Sequence, residues 1–136
     1  MMPESMATPP IAAYIYDRCS TLATAALDER IERCRRYAVE HGWVVAGEWV
    51  DRADHALTNW PRPRWQGMAH AMRRAATGRV CLVDSWERIS RERDGSAVLR
   101  RAVHLAGGYC VTAAGEDDLG QGRMYVAAPP ASKGRP

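Results

Sequence analysis

Ile11-Ala12-Ala13-Tyr14-Ile15-Tyr16-Asp17-Arg18-Cys19-Ser20-Thr21 is the stretch that decides the fold. A short apolar run ending abruptly in polar residues reads as a strand buried on both faces. Outward from it the period lengthens. Leu27, Ile31, Cys34, Ala38 and His41 recur at steps of three and four among Asp, Glu and Arg, an amphipathic helix stopped by Gly42. Residues 43–50 read as a second strand and 51–61 as a long polar loop. Pro63 suits the first position of a helix with Trp65, Met68, Ala69, Met72 and Ala76 inward and Gly78 at its end. Val80-Cys81-Leu82-Val83 is the third strand, and residues 96–106 form a helix with Val98, Ala102 and Leu105 inward. Gly107-Gly108 then leads to a fourth strand at 109–113, and Met124-Tyr125-Val126-Ala127 offers a fifth. This alternation predicts an α/β fold, a mostly parallel four- to five-stranded sheet with helices on both faces.

Length and composition agree with one domain. The 136 residues are 46% hydrophobic and 26% charged, enough for a real core and ordinary for a soluble protein. The expected division is a flexible tail over residues 1–10, the domain over 11–128 and a disordered tail over 129–136. Net charge is only +3, yet of the 19 cations Lys133 alone is lysine. Arginine is the better bidentate phosphate ligand, although a GC-rich coding sequence produces the same bias. Cys19, Cys34, Cys81 and Cys110 lack metal-ligand spacing and read as buried thiols, so neither metal nor cofactor is expected. With no signal-peptide core, and no apolar run near the roughly 20 residues that span a bilayer, a cytoplasmic setting without membrane contact follows.

Groups that handle ligands in such sheets collect at the carboxyl ends of strands. Ser20, Asp51 and the Glu87-Arg88 segment all fall there, on one edge of the sheet. A serine hydroxyl can act as covalent nucleophile, and fixed guanidinium groups can hold a phosphate and stabilise the charge that grows on its oxygens. Arg18, Arg62, Arg88 and Arg91 are the candidate clamps. Each piece also has a plainer reading: Ser20 as a solvated loop residue, Arg88 and Arg91 as a helix surface, Arg62 as a helix start without a task. His41, His55, His70 and His104 share no spacing that marks a general base, and Trp43, Trp49 and Trp65 read as packing.

The ordered set resembles the catalytic domain of the resolvase/invertase group of serine site-specific recombinases. That domain opens with a strand ending in Tyr-x-Arg-x-Ser-Thr, matched by Tyr16 to Thr21. An Asp after its second strand, an Arg-Pro opening a helix and an Asp-Arg-Leu-x-Arg segment follow. Asp51, Arg62-Pro63 and Glu87-Arg88-Ile89-Ser90-Arg91 stand in those places. The resemblance runs from about Ile11 to Ala127 and implies DNA strand cleavage and rejoining through a phosphoserine intermediate. Ser20 would be the nucleophile, Arg18, Arg62, Arg88 and Arg91 would bind the scissile phosphate, and Asp51 and Glu87 would support the arginines. DNA and other recombinase subunits, or further copies of the chain, are the partners implied. The alternative is a non-catalytic DNA-binding or subunit-pairing module derived from a recombinase.

Departures from the family pattern are visible. Glu87 replaces an Asp, Thr24 and Arg30 stand where the family carries Gln, and Asp54-His55-Ala56-Leu57 replaces a Ser-Gly loop. The family's last strand leads into a long dimerisation helix, whereas here Pro129-Pro130 follows at once and consecutive prolines cannot continue a helix. Without a sequence-reading module, DNA affinity is expected to be weak, salt-sensitive and non-specific.

Overall fold

The structure, a computed structural model, describes residues 9–21, 24–58 and 61–120. Strand β1 (Ala12–Cys19) is followed by helix α1 (Thr24–Glu40), strand β2 (Val44–Arg52), a short helix α2 (Asp54–Leu57) and helix α3 (Pro63–Arg73). Strand β3 (Arg79–Val83), a 3-10 turn (Trp86–Arg88), helix α4 (Arg93–Leu105) and strand β4 (Tyr109–Thr112) complete it. The sheet is parallel throughout, in the order β2-β1-β3-β4. The expected α/β architecture is therefore found with four strands; residues 124–127 lie outside the described residues.

Burial on both faces makes β1 the keel of the molecule. Ala13 and Ile15 pack against Leu27, Ile31, Cys34 and Ala38 of α1. Tyr14 and Tyr16 point the other way, against Trp65, Met68 and Met72 of α3 and Leu99 and Val103 of α4. Trp65 joins the layers: its ring meets Tyr16 edge-on at 4.7 Å, and its Nε1 donates to the Leu99 carbonyl at 3.0 Å. All four cysteines are buried free thiols.

Three boundaries differ from the sequence reading. Asp51 belongs to the end of β2, paired with Arg18 across the sheet, and the expected loop contains α2. His41 and Ala76 are exposed beyond the ends of their helices, with His41 stacked on Tyr37 at 3.9 Å. Helix α4 is rotated from the expected phase. It buries Ser96, Leu99, Val103 and His104, whereas Val98 and Leu105 are 68% and 56% exposed. Hydrophobicity could not reveal this, because two positions of the inward stripe are polar residues with partners. Ser96 Oγ accepts from Arg100 Nε at 3.1 Å, and His104 Nε2 meets Asp118 at 2.9 Å.

Asp118 closes the outer edge of β4. The chain turns back after Thr112, and Asp118 accepts from the Cys110 amide at 2.6 Å and from Arg100 at 3.1 Å. Burial opposes its ionisation, but His104, the Cys110 amide and Arg100 together outweigh that and hold the carboxyl below its ordinary value. A depressed folded-state value contributes stability at pH above the unfolded value, which is lost as the pH falls through the acid range. Asp118→Asn should accordingly flatten the acid limb of a stability-versus-pH profile. The helix phase has its own check in urea unfolding. Leu99→Ala should cost about 2–5 kcal/mol, against less than about 0.5 kcal/mol for Leu105→Ala on the exposed face.

Candidate active site

The strand order reverses direction at β1, so a crevice opens between the carboxyl ends of β1 and β3. There a pocket of about 140 Å³ is lined by Arg18, Ser20, Ala56, Leu57, Arg88, Ser90, Arg91 and Glu92. Ser20 is exposed immediately after β1, and Arg88 closes the 3-10 turn that follows β3. Four of the five residues expected to do the chemistry thus meet in one space. Arg62 is the exception.

Alternation along β1 sends Arg18 toward α2 and the 3-10 turn. Its Nε donates to the Glu87 carbonyl and its Nη1 to the Ala56 carbonyl, both at 2.8 Å. Its Nη2 is buried without a hydrogen-bond acceptor among the described residues. An unsatisfied buried donor on a cation is costly, and an anion entering the pocket would relieve it. Burial, then the guanidinium groups of Arg62, Arg88 and Arg91, push Arg18 below the ordinary arginine value. Arg88 Nη1 donates to the Arg18 carbonyl at 2.9 Å. Arg91 is exposed and makes no hydrogen bond to a described residue.

Arg62 is completely buried just before α3. Its Nε donates to the Thr58 carbonyl and its Nη1 to the Tyr16 hydroxyl at 3.1 Å. That hydroxyl donates in turn to Asp51 at 2.8 Å. Burial pushes the Tyr16 hydroxyl well above its usual range, against the opposing pull of Arg62, so it stays protonated as the link. Asp51 also accepts the amides of Arg64 and Trp65 at 3.0 and 3.2 Å, anchoring the first turn of α3. Asp51 therefore supports an arginine, but through Tyr16 and the helix start. Glu87 contributes its backbone carbonyl to Arg18, and its carboxylate makes no ion pair among the described residues.

The anion nearest the clamp is one the sequence reading passed over. Asp17, 1% exposed, points toward α1, where Arg30 grips both its oxygens at 2.8 and 2.9 Å. A signal was available: positions 13, 15 and 17 of a strand share a face, so an acid continuing Ala13 and Ile15 toward α1 requires a cation on that helix.

Stability separates the pinned arginine from the free one. Arg62→Ala should cost at least about 1.5 kcal/mol in denaturant unfolding, because it strips charged hydrogen bonds from a buried site. Arg91→Ala should stay within about 0.5 kcal/mol of the parent.

Comparison with known proteins bears on the fold and the family. The structure is similar to the N-terminal catalytic domain of TP901-1 integrase, with a TM-score of 0.67 and 22% identity over 90% of this chain and 93% of that one. It is similar to the C-terminal catalytic domain of ISC1926 TnpA, an IS607-like serine recombinase, with a TM-score of 0.64 and 21% identity over 76% and 69% of the chains. A resolvase family site-specific recombinase from Streptococcus pneumoniae gives 0.67 and 17% over 90% and 86%. Such identities establish a shared fold. No curated protein sequence matches significantly. A family model, resolvase N-terminal domain, matches residues 13–125. Covering most of the chain and including the strand-end serine, the Arg-Pro helix start and the arginine pair after β3, that match bears out the resemblance read from the sequence: the chain belongs to the resolvase N-terminal domain family.

Proposed function

We propose that this chain is a serine-recombinase catalytic domain that cleaves and rejoins DNA strands, acting in the cytoplasm as one subunit of a larger recombinase assembly. The domain occupies residues 11–128. The observation that carries the reading is the pocket in which Ser20 meets three arginines, one of them bearing a buried donor without an acceptor.

In the proposed reaction Ser20 Oγ attacks the scissile phosphorus. The new Oγ–P bond forms as the bond to the 3′ oxygen breaks; Oγ gives up its hydroxyl proton and the 3′ oxygen takes one up to leave as a hydroxyl, so the step is neutral in protons. The DNA 5′ end remains on Ser20 as a phosphoserine ester, so the energy of the broken bond is kept and rejoining runs the same step backwards. Arg18, held by two backbone carbonyls, presents Nη2 to a phosphate oxygen. Arg88 and Arg91 lie beyond it and stabilise the charge on the leaving oxygen. Arg62 acts at a distance, as a buried cation that fixes Tyr16 and the start of α3. No helix among the described residues is long and apolar enough to cross a membrane.

The burial of Arg62 favours a second reading, since an arginine bound to Tyr16 and Thr58 behaves as structure. In that reading the domain binds DNA or pairs with recombinase subunits without cutting. The two separate when the protein is incubated with a supercoiled plasmid library bearing random inserts and then denatured in detergent. The catalytic reading expects protein covalently retained on DNA, and none with a folded Ser20→Ala variant. Adducts that survive Ser20→Ala would remove Ser20 as nucleophile, whereas reversible binding without adducts would favour the pairing module.

A further inference from the structure

Arg88 stands beside a buried carboxylate that another arginine already holds. Arg30 Nε lies 2.8 Å from Asp17 Oδ2 and Arg30 Nη2 lies 2.9 Å from Oδ1, a two-pronged grip that engages both oxygens and neutralises the carboxylate's charge. Arg88 Nη1 approaches the same Oδ1 only to 3.8 Å, too far for a hydrogen bond, and is fixed instead by the Arg18 carbonyl at 2.9 Å. Nε and Nη2 of Arg88 make no hydrogen bond to a described residue, although the side chain lines the Ser20 pocket.

We infer that Arg30 is a positioning residue for Arg88: by occupying both oxygens of Asp17 it keeps that buried anion from capturing Arg88, and so leaves the Arg88 guanidinium for the substrate phosphate. The inference rests on the recombinase reading above. Its physical basis is competition. A carboxylate that is 1% exposed cannot remain unpaired without a large cost. If Arg30 is neutralised, the nearest cation is Arg88, which has to move about 1 Å to turn its long 3.8 Å ion pair with Asp17 into a hydrogen-bonded one. Arg33, on the same helix, does not substitute, because it is committed to Asp84 at 2.7 and 3.1 Å. Captured by Asp17, Arg88 would turn its charge away from the pocket, and a misplacement of about 1 Å costs roughly a hundredfold in rate.

Two variants test this. Arg30→Gln should slow formation of the Ser20–DNA adduct by about ten- to a hundredfold at saturating plasmid, with the half-saturating DNA concentration nearly unchanged. Adding Asp17→Asn removes the anion that captures Arg88, so the double variant should recover to within about threefold of the parent. A merely structural role for the pair predicts instead a loss of folded protein, with the rate per folded molecule unchanged in the single variant. An Arg30→Gln protein as fast as the parent, or a double variant as slow as the single one, overturns the inference. If Arg30→Gln does not fold, the neutral double variant decides alone, because slow adduct formation by that protein contradicts the inference. A crystal structure of Arg30→Gln gives a reading independent of activity: the Arg88–Asp17 contact should shorten from 3.8 Å to hydrogen-bond distance. Absence of any adduct from the parent protein would bring down the recombinase reading. In that case an unchanged Arg88 position would bring down this inference as well, and a shortened contact would support it.

Discussion

Everything at the site depends on β1 being buried on both faces. A strand in that position cannot send polar side chains to solvent along its length, so Tyr16, Asp17 and Arg18 must each find partners on whichever face alternation gives them. Asp17 goes to α1 and Arg30; Tyr16 and Arg18 go to the side of α2, α3 and the 3-10 turn. The same constraint leaves Ser20 as the first residue beyond Cys19, exposed where the crevice opens. The nucleophile candidate is thus placed by the packing of the residues before it.

Concentrating guanidinium groups at a sheet end has an energetic consequence. Two like charges about 4 Å apart repel by roughly 4 kcal/mol at an effective dielectric constant near 20, a large part of a typical domain's total stability of about 5–15 kcal/mol. The fold meets this with backbone carbonyls of Arg18, Ala56, Thr58 and Glu87, the Tyr16 hydroxyl backed by the buried Asp51, and the buried anion Asp17. It leaves the compensation incomplete at Arg18 Nη2. In the proposed reaction, a site whose positive charge is fixed in place, and balanced only in part, is organised for the phosphate before it arrives.

The fold was legible because its signals are local. The apolar run before Asp17, the 27-31-34-38 stripe, Pro63 at a helix start and Gly42 at a helix end each state their own conformation, and these elements are found in the structure. Legibility failed where a tertiary partner decides. The phase of α4 turns on His104, whose partner Asp118 lies beyond β4, while Ser96 is satisfied by Arg100 one turn along the same helix. In the site, Ser20, Arg18, Arg88 and Arg91 were named from residue chemistry, their place at strand ends and the family resemblance, and the structure brings them together around one pocket. The work of Asp51 and Glu87 was not legible, because one acts through Tyr16 and two amides and the other through its carbonyl. Side-chain identity does not encode either arrangement.

In the proposed reaction Ser20 becomes bonded to DNA phosphate inside this pocket. Ser90 also lines it, and Thr21 is the neighbouring hydroxyl, so attachment of DNA to the protein is by itself not decisive. The most direct measurement is mass spectrometry of the nuclease-trimmed, protease-digested adduct, locating the residue that carries the nucleotide. A phosphodiester-linked nucleotide is expected on Ser20; the same mass on Thr21 or Ser90 would contradict Ser20 as the nucleophile.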